Sequence, residues 1–180
     1  LPYNLQALIL GNNYNQVFYE GELPPSLKTL KFGTCYDQPF NENVLPKFLQ
    51  ILNFGCFYNQ PFNKGVLPNS IQTLTFGYKY NQPFLENVLP NSLQILIFGF
   101  RYNQTIGENV LPNSLQELTL CCYYNRTIGV NMLPSSLLKI CFNFSYDNTY
   151  RNGKYNNHVI PLEFKNRVKC INAISTSLSK

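Results

Sequence analysis

The 180-residue chain is 44% hydrophobic and 15% aromatic but only 13% charged, so it has ample apolar material for a continuous core. Its net charge of +5 arises beyond residue 150, because residues 1–150 hold eight basic and eight acidic side chains. A nucleic-acid groove needs a basic stripe across the folded surface, and we expect no nucleic-acid partner. The sequence has no apolar run long enough to span a bilayer and no secretory leader, so we expect no membrane association.

Seven Leu-Pro pairs recur with a constant spacing of 22 residues, from Leu1 to Leu133. Counting each Leu as position 1, positions 5 and 8 are Leu or Ile in every repeat, and position 10 is Leu or Phe. A unit of this size cannot close a core alone and must bury its apolar side against its neighbours. The period therefore predicts a solenoid of seven coils that forms a first domain, residues 1–150.

Within each repeat, positions 8 and 10 are apolar while positions 7 and 9 vary, which is typical of a short strand with one buried face. Gly at position 11 in five repeats suits a tight bend or a close backbone approach. Cys121 and Asn143 replace this Gly in the last two repeats, so the bend is expected to differ there. Pro at position 2, joined by Pro39, Pro61 and Pro83 at position 17, predicts turns and 3₁₀ pieces rather than α-helices.

Positions 14 and 15 form two polar columns that we expect to act as structural ladders. Position 14 is Tyr in all repeats: Tyr14, Tyr36, Tyr58, Tyr80, Tyr102, Tyr124 and Tyr146. Position 15 is Asn in five: Asn15, Asn59, Asn81, Asn103 and Asn125. A stacked Asn can accept from a backbone N–H and donate to a carbonyl, and a stacked Tyr can pack its ring while its hydroxyl reaches water or a partner. Asp37 and Asp147 interrupt the Asn column, and we expect weaker rungs there because a carboxylate cannot donate.

The tetrapeptide at positions 14–17, with the form Tyr-Asn-Gln-Pro at residues 58–61 and 80–83, lies in units that begin Leu-Pro-x-Ser-Leu-x-x-Leu. This unit resembles the FNIP repeat, which is known chiefly from amoebae and their giant viruses. The resemblance covers residues 1 to about 150 and implies a β-rich, leucine-rich-repeat-like solenoid with one parallel sheet and an irregular outer side. FNIP arrays often follow an F-box, so it also implies the substrate-recognition array of a ubiquitin-ligase adaptor. Such an adaptor would be cytoplasmic, with the host cytoplasm as one candidate compartment.

Leucine-rich-repeat-like arrays bind partners on the strand side, where variable residues project between fixed core positions. In repeats three to six, positions 12 and 13 collect aromatic and basic residues of the types that dominate protein-binding hot spots. We predict a protein-binding strip, with a partner of unknown identity, at Phe57, Tyr78, Lys79, Phe100, Arg101 and Tyr123. In the alternative interpretation, position 12 points inward and its aromatic residues belong to the core.

No catalytic or metal-binding arrangement is evident in the sequence. His158 is the sole histidine, the six cysteines form no C-x-x-C pair, and the acidic residues do not cluster. We therefore expect no enzyme, cofactor, metal or small-molecule ligand, and scattered thiols favour an intracellular setting. A scaffold without a captured client is the main alternative function, and an enzyme of the parallel β-helix type is a remote one.

The regular period breaks after residue 150, and residues 151–180 are predicted to form a C-terminal cap followed by a basic tail. The apolar residues between Val159 and Ile174 would shield the last coil from water, as terminal units of repeat arrays do. At the other end, Leu1 begins a repeat with neither a cap nor an initiator Met. An exposed core is normally avoided, so we expect the chain to be a fragment that lacks an N-terminal part.

Overall fold

The computed structural model describes residues 1–121, 123–143 and 168–171; the side chains of Val130, Asn143 and residues 168–171 are outside the description. One sheet contains eight strands in chain order, β1 to β8, and each neighbouring pair is parallel. The strands are β1 Ala7–Ile9, β2 Thr29–Lys31, β3 Ile51–Asn53, β4 Thr73–Thr75, β5 Ile95–Ile97, β6 Glu117–Cys121, β7 Lys139–Asn143 and β8 Val168–Ile171. The prediction of a leucine-rich-repeat-like solenoid with one parallel sheet is confirmed.

The strands pair in a register that equals the sequence period. Leu8 lies beside Leu30, Leu30 beside Leu52, and Leu52 beside Leu74, so each residue meets its counterpart 22 positions later. From the second coil onward, positions 5 and 8 are completely buried. Because side chains alternate across a strand, positions 7 and 9 lie on the opposite, outward side of the sheet.

The core is built from three aromatic columns at positions 10, 14 and 18. Within a coil, the Phe at position 10 stacks on the Tyr at position 14, with ring centroids 3.8 Å apart for Phe76 and Tyr80. Between coils, like rings stack on like rings, at 5.5 Å for Phe54 and Phe76 and 6.1 Å for Tyr58 and Tyr80. These stacked arrangements add to the apolar area that the rings bury. Repeats five and six depart from the pattern, since Ile106 and Ile128 occupy position 18 and Leu120 occupies position 10.

The glycines at position 11 allow successive coils to approach at the backbone. A β-carbon built on Gly55 would lie 1.9 Å from the carbonyl oxygen of Gly33, and one built on Gly99 would lie 1.8 Å from that of Gly77. Where the Gly is absent, the strand continues: β6 and β7 have five residues and include position 11, whereas β1 to β5 have three. In the last two repeats, the bend at position 11 is therefore replaced by a longer strand, which is the difference that the sequence led us to expect.

The outer side of each coil consists of turns, as the prolines predict. The N–H of position 5 donates to the carbonyl of the Pro at position 2, at 3.1 Å for Leu27 and Pro24. The one helical piece in the described part of the chain is a single 3₁₀ turn, Val130–Met132. Position 21 adopts positive φ in the first five repeats, where it is Gly or Asn, the two residue types that tolerate this conformation best.

The position-15 column forms a hydrogen-bond ladder in which the side chain only accepts. Its Oδ1 accepts a hydrogen bond from the backbone N–H of position 15 in the next coil, at 2.8 Å from Asn81 to Asn59 and 2.9 Å from Asn103 to Asn81. Asp37 accepts the N–H of Asn59 at the same 2.8 Å. The expectation of a weaker rung at Asp37 is wrong, because this side chain is not required to donate.

The donors come from position 16 instead, which the sequence interpretation did not use. The Nε2 groups of Gln60, Gln82 and Gln104 donate to the position-15 carbonyl of the preceding coil at 3.0–3.1 Å. A serine column at position 4 gives a further ladder, with Oγ donating to the position-5 carbonyl of the preceding coil, as in Ser92 to Ile71 at 2.7 Å. These Gln and Ser side chains therefore supply hydrogen-bond donors to backbone carbonyls that lie outside the sheet.

The tyrosine column is buried more completely than the sequence suggested. The hydroxyl oxygens of Tyr36, Tyr58 and Tyr80 are inaccessible and have no hydrogen-bond partner in the described part of the chain. The expectation that they reach water or a partner is therefore wrong for these three. Desolvation is the main cause that raises the pKa of each of them well above the usual value. Burial raises the pKa of Tyr124 to about 12, and the nearby charge of Arg126 opposes the shift.

After the seventh repeat, β8 continues the sheet. Ile140 lies beside Val168 and Asn143 beside Ile171, so residues of the predicted cap add an eighth parallel strand. The other predictions for residues beyond β7 lie outside the described residues. They concern Tyr146 and Asp147 in the ladders, His158, and the rest of the cap and basic tail.

Candidate functional site

The candidate strip follows directly after the strands, at positions 12 and 13 of repeats three to six. Its backbone is held by a second ladder, in which the N–H of position 13 donates to the carbonyl of position 12 in the preceding coil. The distances are 2.8–3.0 Å for Phe57 to Thr34, Lys79 to Cys56 and Arg101 to Tyr78. From Phe57 to Arg101 the strip therefore rests on backbone that is hydrogen-bonded between coils.

The side chains of the strip contact one another across the coil boundaries. Tyr78 and Phe100 stack with centroids 5.0 Å apart and planes inclined by 6°, and Phe100 meets Tyr123 edge to face at 4.7 Å. The ammonium of Lys79 lies 4.3 Å from the ring centroid of Phe57, and the guanidinium of Arg101 lies 5.5 Å from that of Tyr78. Both separations are within the range of cation–π attraction.

These contacts leave much of the aromatic surface open to solvent. Phe57, Tyr78 and Tyr123 expose 40%, 43% and 41% of their surface, and Phe100 is half-buried. The core-facing positions of the same coils, such as Tyr80 at position 14, are fully buried. The alternative in which position 12 points inward is therefore wrong for Tyr78 and Phe100. The structure brings all six predicted strip residues together on one side of the solenoid.

On the outward side of β6 and β7 lies an ion pair that the sequence alone did not reveal. Lys139 Nζ is 2.9 Å from a carboxylate oxygen of Glu117, and both side chains are partly exposed. The hydrogen bond to Glu117 is the main cause that raises the pKa of Lys139. The two residues occupy position 7 of adjacent repeats, so opposite charges 22 residues apart were the signal that could have revealed the pair.

The ladder residues are placed differently from the strip residues. The Tyr rings at position 14 lie inside the core from Tyr36 to Tyr124, and the Oδ1 atoms of the Asn and Asp ladder accept hydrogen bonds from the next coil from Asn15 to Asn103. Their side chains join one coil to the next, which makes them structural residues of the solenoid.

Residues 1–121, 123–143 and 168–171 contain no group of three or more His, Cys, Asp or Glu side chains that could hold a metal ion. In the same residues, no helix combines the length and apolar character needed to cross a membrane. An open hollow of about 630 Å³ lies at the first coil and is lined by residues that include Leu8, Leu10 and Phe18.

The repeat unit itself identifies the family. The FNIP repeat model matches residues 1–35, 14–57, 36–79, 58–101, 80–123 and 102–146, and so covers the chain without a gap to residue 146. The chain belongs to the FNIP repeat family. No curated protein sequence matches it.

Among solved structures, the FNIP chain is similar to CroV588, whose crystal structure is described as that of a novel circular leucine-rich-repeat protein. The two are 43% identical with a TM-score of 0.83, over 96% of this chain. The chain spans only 25% of the length of that protein. The FNIP solenoid is thus leucine-rich-repeat-like in structure as well as in repeat pattern, and this fold fits a protein-interaction repeat module.

Proposed function

We propose that this FNIP array is a recognition module that binds another protein through the strip formed by Phe57, Tyr78, Lys79, Phe100, Arg101 and Tyr123, named here the cation–aromatic strip. The observation that carries the proposal is the set of ring–ring and cation–ring contacts on an exposed surface, which join Lys79 to Phe57 and join Tyr78 to Phe100 and Arg101. Exposed aromatic rings and arginine are the residue types that contribute most to binding at protein interfaces. Their mutual packing lowers the entropy lost when a partner immobilises them.

A comparison of capture by two matched variants tests this role. The strip variant carries Phe57→Ser, Tyr78→Ser, Phe100→Ser and Arg101→Ser. The control variant carries Tyr19→Ser, Phe48→Ser, Leu85→Ser and Leu138→Ser, four apolar side chains that expose 59–72% of their surface elsewhere on the solenoid. Pull-downs from host-cell lysate would use native, strip and control proteins of equal thermal stability.

The expected result is a protein that the native chain and the control variant capture and the strip variant does not. Its direct binding to the purified array would then be measured by titration calorimetry. Capture that is equal for native and strip proteins, or absent for both, would contradict binding through the strip. That outcome would favour the alternative of a scaffold without a captured client.

We further propose that the array is the recognition part of an F-box-type ubiquitin-ligase adaptor, in an amoebal or giant-virus setting. This finer proposal rests on membership of the FNIP family and on the interaction fold, and it places the F-box in another part of the gene product. The test is co-precipitation of the full gene product with the host F-box-binding subunit of the ligase, followed by ubiquitination of the captured client. If the full gene product did not co-precipitate that subunit, or if the captured client were never ubiquitinated, the adaptor proposal would be contradicted.

An intracellular location is proposed on the state of the cysteines. Cys35, Cys56 and Cys141 are free thiols in the described part of the chain, and thiols persist most readily in reducing compartments. A fluorescent fusion expressed in the host cell should remain in the cytoplasm. A fusion found in the secretory pathway would contradict this location.

A further inference from the structure

The two cations of the cation–aromatic strip lack acidic partners within the part of the chain that the structure describes. The ion pair found there joins Lys139 to Glu117, and neither Lys79 nor Arg101 is paired with a carboxylate. Glu117 is the acidic residue at the outward strand positions 7 and 9 of the repeats, and Lys139 already neutralises it. The strip therefore carries two positive charges that form no ion pair with a carboxylate among the described residues.

The aromatic contacts fix these charges without consuming their hydrogen-bonding capacity. A ring face attracts the ammonium of Lys79 and the guanidinium of Arg101 electrostatically, yet it provides no lone pair for their N–H groups. An ammonium has three N–H donors and a guanidinium five, and charge-assisted bonds to carboxylates are among the strongest that such donors form. The strip thus presents pre-positioned donors next to apolar surface.

From this arrangement we propose that the cation–aromatic strip recognises an extended acidic protein segment in which carboxylates alternate with aromatic or aliphatic side chains. The inference rests on the proposed protein-binding function and specifies the chemistry of the partner. Lys79 and Arg101 occupy position 13 of adjacent coils, and neighbouring strands lie about 4.8 Å apart. An extended segment presents side chains on one side about 6.5–7 Å apart, a spacing that two long, flexible cationic side chains can match.

The apolar part of the segment would lie on the rings that flank the cations. Phe57 stands at one end of the strip and Tyr123 at the other, and both expose about two-fifths of their surface. Apolar side chains on either side of the two carboxylates would cover these rings and exclude water from the ion pairs. Desolvated pairs of this kind are less weakened by salt than pairs on an open surface.

Single-stranded nucleic acid shares the negative charge but fits the strip poorly. Base-stacking platforms present open ring faces. Here Tyr78 is stacked on Phe100 at 5.0 Å and approached by Arg101, and Lys79 covers a face of Phe57. Two cations also neutralise too few phosphates for the electrostatic binding that such ligands rely on.

The test uses fluorescent decapeptides and the full 180-residue chain, with binding followed by fluorescence anisotropy. One peptide alternates glutamate with phenylalanine, and matched peptides replace each glutamate with glutamine or with lysine; an oligothymidylate serves as the nucleic-acid probe. The native chain should bind the acidic peptide roughly tenfold or more tightly than the glutamine peptide, which corresponds to about 1.4 kcal/mol. It should bind the lysine peptide and the oligothymidylate more weakly still.

Two charge-reversal variants locate the preference on the surface. Lys79→Glu with Arg101→Glu should abolish the preference for the acidic peptide and favour the lysine peptide. Lys28→Glu with Lys64→Glu changes the net charge equally at exposed sites outside the strip and should leave the preference intact. Unfolding curves of both variants should match the native curve, since all four cations are on the surface.

Several outcomes would overturn the inference: no binding of the acidic peptide, equal binding of the acidic and glutamine peptides, tighter binding of the oligothymidylate, or equal loss in both charge-reversal variants. The proposed function can survive this failure. A client whose capture is lost in the serine strip variant but retained when Lys79 and Arg101 are reversed would leave protein binding intact and remove the acidic specificity.

Discussion

At Gly77, an added β-carbon would lie 2.0 Å from the carbonyl oxygen of Gly55 and 2.4 Å from its carbonyl carbon. The atoms it meets are backbone, so neither side can move away without breaking the coil spacing. Gly11 occupies the same position of the first repeat, and a β-carbon there meets nothing within 4 Å. Identical residues in one column therefore carry very different steric constraints.

We predict that Gly77→Ala lowers the free energy of unfolding by about 1–3 kcal/mol, the usual cost of forcing extra atoms into a packed site. Gly11→Ala should leave it nearly unchanged. Urea unfolding followed by circular dichroism would measure both variants beside the native chain. Equal effects of the two substitutions would show that the contact between coils is not what requires glycine at position 11.

The buried tyrosines should make the folded chain lose stability at alkaline pH. Burial raises the pKa values of Tyr36, Tyr58, Tyr80 and Tyr102 in the folded chain, so folding favours their protonated form. The stability contributed by these groups is complete below the unfolded pKa of about 10 and is lost as the pH rises through and above that value. Parallel titrations of tyrosinate absorbance and circular dichroism should show the buried rings ionising together with unfolding.

Tyr58→Phe gives a direct check on this account. It removes one buried ionisable hydroxyl that has no hydrogen-bond partner among the described residues, so the alkaline unfolding midpoint should shift to higher pH. At neutral pH, the variant should be as stable as the native chain to within about 1 kcal/mol, because no intramolecular bond is lost. A lower alkaline midpoint in the variant, or ionisation of the buried rings before unfolding, would contradict the account.

At the scale of the repeating element, each coil is joined to the next by the sheet and by ladders on its outer side. Asp37 has a central place in one of them: its Oδ1 accepts from the N–H of Asn59 at 2.8 Å and from Nε2 of Gln60 at 3.0 Å. Its own N–H donates to Oδ1 of Asn15 at 2.8 Å. Since the side chain acts only as an acceptor, Asp and Asn are equivalent in geometry there.

The expected consequence is that Asp37→Asn changes the free energy of unfolding by less than about 0.5 kcal/mol, whereas Asp37→Ala lowers it by about 1–3 kcal/mol. Alanine leaves the N–H of Asn59 without its partner, and that group is partly buried. Denaturant unfolding of both variants and the native chain in one buffer would measure these differences in the free energy of unfolding. A large loss in the Asn variant would indicate that the charge, and not the acceptor geometry, matters at this rung.

The element also shows how far sequence reasoning reaches. The period, the strand at positions 7–9, the buried columns and the turn-rich outer side follow from residue types that recur every 22 positions. The direction of the ladder bonds does not follow, because Asn can donate or accept, and only the coil geometry assigns the donor role to Gln60 and its counterparts. Likewise, the outward direction of Tyr78 depends on the bend at Gly77, which the sequence pattern could not orient.

The candidate strip was predictable in composition but not in organisation. Aromatic and basic residues at positions 12 and 13 are visible in the sequence, and all six predicted residues lie on one side. Their pairing is not visible, because Arg101 lies over Tyr78 of the preceding coil while Lys79 lies over Phe57. Such contacts depend on side-chain rotamers and on the distance between coils, which residue identity alone leaves open.

For the molecule as a whole, every internal coil presents nearly the same contact surface to its neighbours. Removal of residues 67–88, one complete repeat, would place Phe54 beside Phe98 and Asn59 beside Asn103, the same residue pairs as in the native array. We predict that this deletion variant folds, with a lower denaturant slope because less surface is exposed on unfolding. Circular dichroism and urea unfolding would test it.

Deletion of residues 67–77, half a repeat, is the matched control. It would bring core positions of one coil beside outward positions of the next, and we expect it to be unfolded or aggregated. If both deletions folded equally well, the register between coils would not be the property that holds the array together.

The constant 22-residue register also has a consequence for inheritance. Unequal recombination between DNA segments that encode two repeats adds or removes whole coils, and each product keeps the packing of its parent. The length of the array and the order of its exposed residues can therefore change in single genetic events while the buried columns stay intact. A lineage under pressure from a changing partner could vary its contact surface in this way without first solving the folding problem again.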